Sequence, residues 1–308
     1  MINHIIRRAL GEQTVAVVQL KSGKTIAARI FRRALGERRP LGLVPYLVRL
    51  GDGRRVKLLS GRWGARKAVA ETAATYAAVS HLACVPRLLW RDDDNLIVEF
   101  VAGETPNVDD ANFADTLGST LAAIHGIDVG SVARDEVVAH AERTLARLVD
   151  AQVAGYEAVG TATRWLVRNL PPALRTSWAY ADLKESNFCW SADGRLVAFD
   201  LGSFRRASIT DEYLVGGKLS GEPLLKRLKY AGRLRDSYRA SPGAHPEVFD
   251  AFAWLEPLSA VRRASEVLDR RDALPHLFWR QRASYLAAAS ERLGQMFSLI
   301  RLVEAAAR

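Results

Sequence analysis

The chain has 308 residues, enough for one large domain or two moderate ones, and its 49% hydrophobic and 25% charged residues are ordinary for a soluble globular protein. Its two cysteines, Cys84 and Cys189, form no C-x-x-C pair, which leaves neither a disulfide framework nor a zinc site and suits a cytoplasmic protein. A net charge of +10 favours anionic partners such as nucleotides, while no run reaches the roughly 18 apolar residues that span a bilayer and MINHIIRRALGEQ lacks a signal-peptide core.

The first hundred residues read as strand-rich. VAVVQL (15–20), a Ser-Gly-Lys turn and TIAARIF (25–31) form one hairpin pattern. PYLVRL (45–50), Gly-Asp-Gly and RRVKLL (54–59) form a second. RRALGE stands ahead of both, at 7–12 and 32–37, as either a duplicated unit or a coincidence of an Arg/Ala/Leu-rich chain. The spacing then predicts an alanine-rich helix over 66–82, stopped by Pro86. PRLLWRD (86–92) and NLIVEFV (95–101) make a third hairpin, ending at Gly103. Beyond it the pattern is mostly helical: 113–127, 137–149, 161–169 and much of 247–304. One strand–turn–strand unit, 186–190 with 195–202, interrupts the helices.

That unit carries the chemistry. Asp182 is followed five positions later by Asn187 and eighteen positions later by Asp200, which leaves a strand. Phosphoryl transfer needs a carboxylate to orient an attacking hydroxyl and oxygen ligands for Mg²⁺ on the phosphates. These three residues are of the right types, and the hairpin between them brings loop and strand end together.

Asp182-Leu-Lys-Glu-Ser-Asn187 with Asp200-Leu201-Gly202 resembles the catalytic and metal loops of the protein-kinase-like superfamily. The nearest resemblance is to the aminoglycoside phosphotransferase and choline-kinase type of small-molecule kinase. The resemblance implies an α+β, two-lobed fold. Residues 1–101 would be a nucleotide-binding lobe, an antiparallel sheet with one helix. Residues 102–308 would be a mainly helical catalytic and substrate lobe. It implies ATP and Mg²⁺ as cofactors, Asp182 as catalytic base, Lys184 on the transferred phosphate, and Asn187 and Asp200 as metal ligands. Tyr180 stands where the family usually has His, and Ala181 where small-molecule kinases usually have Gly.

A lobe of this type needs a strand lysine on the α/β-phosphates, held by a helix glutamate. Lys57 and Glu71 fill those positions, with Arg29 as a competing register for the lysine. No G-x-G-x-x-G is present, so the phosphate-covering loop falls to 36–44, near Gly36 or Gly42, with Arg38 and Arg39 beside it. NLIVEFVAGE resembles the fifth strand and hinge, whose backbone at Glu99 and Val101 would bind the adenine edge. LGSTLAAIHGID resembles the L-A-x-L-H helix of small-molecule kinases, with His125 as a structural helix-end residue. Asp211 would brace the catalytic loop.

Arginine and lysine crowd the region after Asp200, and Asp109, Asp110 and Asp115 are the modest acidic candidates for a cationic substrate. The acceptor is therefore expected to be a neutral or anionic hydroxyl compound, a sugar, antibiotic or lipid-linked acceptor, rather than a polycation. Peripheral contact with an anionic surface also fits the charge; nucleic acid is not expected. Two alternatives stand beside this one: a serine/threonine protein kinase, from D-L-K-x-x-N and D-L-G, and a non-catalytic kinase-like binding module, from Tyr180 and the missing glycine loop.

Overall fold

The computed structural model describes residues 1–20, 42–61, 65–180, 182–208, 224–245, 261, 264, 266–274 and 279–306. In chain order the elements are α1 (Ile2–Leu10), β1 (Thr14–Gln19), β2 (Val44–Leu50), β3 (Arg55–Ser60), α2 (Arg66–Val79), β4 (Leu88–Arg91), β5 (Asn95–Glu99), β6 (Gly103–Glu104), α3 (Ala111–His125), β7 (Gly130–Ala133), α4 (Arg134–Asp150), α5 (Tyr156–Asn169) and β8 (Ala173–Tyr180). They continue with β9 (Phe188–Ser191), β10 (Leu196–Ala198), β11 (Phe204–Ser208), α6 (Leu224–Arg227), α7 (Ala231–Ala240) and α8 (Trp279–Ala306). Two compact units result: Met1–Pro106 with Glu185–Ser203, and Asn107–Lys184 with Phe204–Arg308.

The first unit is built on a five-stranded antiparallel sheet in the order β1-β2-β3-β5-β4. Alternation along the strands sorts side chains to two faces. Val44, Tyr46, Val48, Leu50, Val56 and Leu58 join Ile5 and Ile6 of α1 in one core cluster. The arginine end of α1 is fixed by Arg8, which stacks over Trp90 at 5.1 Å and pairs with Asp92 at 2.8 Å. On the other face Leu59 and Leu96 pack with Val69 and Ala73 of α2. Lys57 is two residues before Leu59, so it shares the α2 face. A small sheet, β10-β9-β6, completes the unit.

In the second unit α3 packs along α7. A Cβ on Gly118 would meet the Leu234 carbonyl oxygen and, at 2.9 Å, the Tyr238 nitrogen, so only glycine allows this approach. A larger core joins α4, α5 and α8. The α8 stripe Tyr285, Ala289, Leu293, Met296, Ile300 has helical spacing and is buried.

The expected antiparallel strands followed by a mainly helical region are observed. One extension is needed. A second strand group, β11-β8-β7, lies among the helices, where the sequence suggested a single strand–turn–strand unit. The second arm of the first hairpin (25–31), the second RRALGE copy, Arg29, Gly36, Arg38, Arg39 and Asp211 lie outside the described residues.

Candidate active site

The β9–β10 hairpin sets Asn187 against the strand leading to Asp200. Phe188 pairs with Ala198, and the next step outward is a hydrogen bond from the Phe199 N–H to the Asn187 carbonyl, at 2.7 Å. The hairpin is held from outside by a 2.7 Å bond from the Ala198 N–H to the Cys84 carbonyl. Asn187 is buried. Asp200 follows β10 with φ 56, a left-handed backbone that costs a non-glycine residue free energy and tends to mark functional turns. Its carbonyl accepts the Ser203 N–H at 2.8 Å, and one carboxylate oxygen accepts the Ser203 hydroxyl at 3.2 Å.

Lys57 extends from β3 between Leu47 and Val98. Burial pushes its ammonium pKa down, and the charge of Asp200 partly opposes that shift. Asp200 is the charge that acts on the Lys57 ammonium. The structure does not form the Lys57–Glu71 pair expected from the sequence. Glu71 is 66% exposed and lies 3.7 Å from Lys67, one helical turn back. The rotation of α2 explains this: Val69, Thr72, Ala73 and Tyr76 are its buried face, and Glu71 is not on it. The residues nearest the turn after Asp200 are ones the sequence reading passed over. Thr72 Oγ1 would stand 3.8 Å from a Cβ on Gly202, and Tyr76 feels the Asp200 charge. Their signal was spacing, since Thr72 and Tyr76 lie one turn apart on the Val69 face.

Asp182 and Lys184 are ion-paired and half-buried. They belong to the second unit, whereas Asn187 and Asp200 belong to the first. Tyr180, fully buried at the end of β8, packs against Phe204 with ring centroids 4.4 Å apart. An apolar ring contact thus occupies the position where the family usually has His. Glu99 pairs with Val56 and accepts from Arg87 N–H and Nε at 3.2 and 3.3 Å, so its side chain is engaged with Arg87. Val101 follows as partly exposed coil, and Gly42 is exposed with nothing within 4 Å of a would-be Cβ. His125 is buried at the end of α3. Its Nδ1 meets the Tyr238 hydroxyl at 2.8 Å, a structural placement.

The profile of the phosphotransferase enzyme family matches residues 37–207, which include every described residue of this site. This chain belongs to the phosphotransferase enzyme family. It is a phosphotransferase with a hydroxyl acceptor, in the small-molecule kinase group that the Asp182–Asp200 segment resembles. Solved structures share its fold. A macrolide 2′-phosphotransferase of Brachybacterium faecium is 12% identical, with TM-score 0.62 over 94% of this chain and 96% of that one. A choline kinase of Streptococcus pneumoniae is 13% identical, with TM-score 0.59 over 96% and 98%. The phosphotransferase in a streptomycin–ATP ternary complex is 12% identical, with TM-score 0.60 over 95% and 97%. No curated protein matches the chain in sequence.

Asn187 and Asp200 are of the residue types that would suit a magnesium ion. They offer an amide and a carboxylate oxygen from one hairpin, and magnesium is usually held by one or two carboxylates with phosphate and water oxygens completing the shell.

Proposed function

We propose that this phosphotransferase moves the γ-phosphoryl group of ATP to a hydroxyl of a small molecule with Mg²⁺ assistance. The observation that supports the reading is the Asp200 carboxylate, held in a left-handed turn at the end of the hairpin that carries Asn187, with its charge acting on the buried Lys57 ammonium. Lys57 would hold the α/β-phosphates. Asn187 and Asp200 would hold the ion, which neutralises charge on the phosphates. Asp182 would orient the acceptor hydroxyl and take its proton, and Lys184 would meet the transferred phosphate. The backbone at Glu99 and Val101 would receive the adenine edge, and Gly42, with Gly36, would belong to the loop over the phosphates. In this reading residues 1–101 serve the nucleotide and 102–308 the acceptor.

A neutral or anionic acceptor fits the acidic groups better than a polycation. Asp115 accepts from Arg233 Nε at 3.0 Å, and Asp110 caps α3 through the Asn112 N–H at 2.9 Å. Asp269 is 2.9 Å and Asp272 3.0 Å from Arg147. Carboxylates so engaged offer little to an oligoamine. The similar structures named above concern a macrolide, choline and streptomycin. For this chain a neutral or anionic sugar, antibiotic or lipid-linked alcohol is the class proposed. No helix among the described residues is long and apolar enough to cross a membrane, and the cytoplasm, where ATP is made, is the proposed location.

The test is incubation with γ-labelled ATP, Mg²⁺ and pooled small-molecule alcohols. Label on a small molecule, lost in Asp182→Ala, is expected. Label appearing on added protein instead would point to the protein-kinase alternative. Nucleotide binding without any transfer or hydrolysis would point to a binding module.

A further inference from the structure

The sheet face that carries Lys57 holds a second row of side chains nearer the β2–β3 turn. In the ladder Lys57 stands between Leu47 and Val98, and Arg55, two residues earlier on β3, stands opposite Arg49 of β2. Residues two apart on a strand share a face, as do residues directly opposite one another. On the other side of Arg55 lies Phe100, whose ring centroid is 5.0 Å from the guanidinium carbon. Two adjacent rows result, Leu47–Lys57–Val98 and Arg49–Arg55–Phe100, about 6.6 Å apart along the strand. Phe100 stands between Glu99 and Val101, the residues whose backbone would receive the adenine edge. Arg55 therefore lies at the base end of the proposed site and Lys57 at its phosphate end. Like charges directly opposite in a ladder repel. Arg49 and Arg55 are both exposed, and neither has an ion pair with a described residue, whereas the neighbouring Arg54 pairs with Asp52 and Glu12. The row offers a guanidinium already seated on one aromatic ring, and such a group also binds the π-face of a nucleotide base.

On the reading that Lys57 and the 99–101 backbone take a nucleotide, we propose that Arg55 is a base-recognition residue. Its guanidinium, seated on Phe100, lies against the face of the base. The preference for a nucleotide over a bare polyphosphate then comes from the Arg55 row, while Lys57 supplies the attraction for the phosphates.

The probes are a non-hydrolysable ATP analogue and inorganic tripolyphosphate, each titrated calorimetrically into the full chain with Mg²⁺. Arg55→Ala is expected to weaken the ATP analogue about fivefold. Tripolyphosphate, which has no base, should keep its wild-type affinity. The thermal midpoint should hold or rise, because a like-charge pair is removed. Arg91→Ala, at an exposed arginine of β4 outside both rows, should leave both affinities unchanged. Equal weakening of the two probes by Arg55→Ala would make Arg55 a phosphate charge and overturn the proposal, as would wild-type affinity for the ATP analogue. Lys57→Met distinguishes the levels. If it binds both probes like wild type, the nucleotide reading of this face fails and the inference with it. If it weakens both while Arg55→Ala weakens neither, that reading stands and the inference alone fails.

Discussion

Phe199 donates its backbone N–H to the carbonyl of Asn187 at 2.7 Å, and the residue after Phe199 is Asp200. One ladder bond thus ties the two proposed ligands, thirteen residues apart in sequence, to one end of the β9–β10 hairpin. Their spacing is set by strand pairing, which is stiffer than a loop. Asn187→Ala keeps the ladder, because the bond uses its backbone, but removes the amide oxygen. The magnesium concentration for half-maximal turnover should rise at least about tenfold, with a small change in thermal midpoint. A magnesium titration of ATP hydrolysis checks this.

Lys57 has a stability cost that follows pH. Burial lowers its pKa from the ordinary 10.5, so between the depressed value and 10.5 the unfolded chain keeps a proton that the folded chain has released. Stability contributed by this group therefore rises with pH through that window. Lys57→Met should raise the thermal midpoint most at pH values below that window, where the ammonium is charged in both states. The gain should shrink as pH approaches 10.5. The same variant should lose ATP hydrolysis, so stability and function move in opposite directions.

The cysteines should behave as core residues. Burial pushes the Cys84 thiol up to about 11 and raises that of Cys189. Thiolate is the reactive form, so little is present at pH 7.5. Iodoacetamide should label neither residue in the folded protein within the time that labels both in guanidinium, as mass spectrometry would show.

Tyr238 links α3, α7 and the turn beyond it. Its oxygen accepts the His245 N–H at 3.1 Å, and the same hydroxyl is hydrogen-bonded to His125 Nδ1 at 2.8 Å. The His125 carbonyl in turn accepts from Ser177 of β8 at 2.6 Å and from His245 Nε2 at 3.1 Å. Tyr238→Phe leaves buried polar groups short of a partner and should cost about 1–3 kcal/mol. Urea unfolding should show the lower midpoint, with the denaturant slope unchanged.

Much of this architecture is legible in the sequence, for identifiable reasons. The β2–β3 turn carries Gly53 in a left-handed conformation between alternating strands, and the alanine-rich helix read over 66–82 is observed over Arg66–Val79, ending short of Pro86. The Asn187–Asp200 spacing is stiff because a hairpin fills it. The rest was hidden in non-local pairings. β8 (Ala173–Tyr180) mixes polar and apolar residues on its buried side, with Ser177 buried beside Leu174 and Ala179, and pairs with the distant strands β7 and β11. The facing of α2 was hidden too. Glu71 and Thr72 are adjacent polar residues on an alanine-rich helix, and only packing against the turn after Asp200 selects Thr72 and Tyr76 as the inner pair. The engagement of Tyr180 with Phe204 likewise needs strand register, because the two residues are far apart in sequence and opposite one another in the ladder.

The most direct measurement is magnesium-dependent release or transfer of phosphate from γ-labelled ATP by wild type, Asp182→Ala and Asp200→Ala. The account predicts metal-dependent turnover in the wild type. Asp182→Ala should lose about a hundredfold to ten-thousandfold as a missing base. Asp200→Ala should lose on the order of a thousandfold, since the charge stabilisation supplied by a metal ion is worth several kcal/mol. Turnover unchanged in both variants would contradict it.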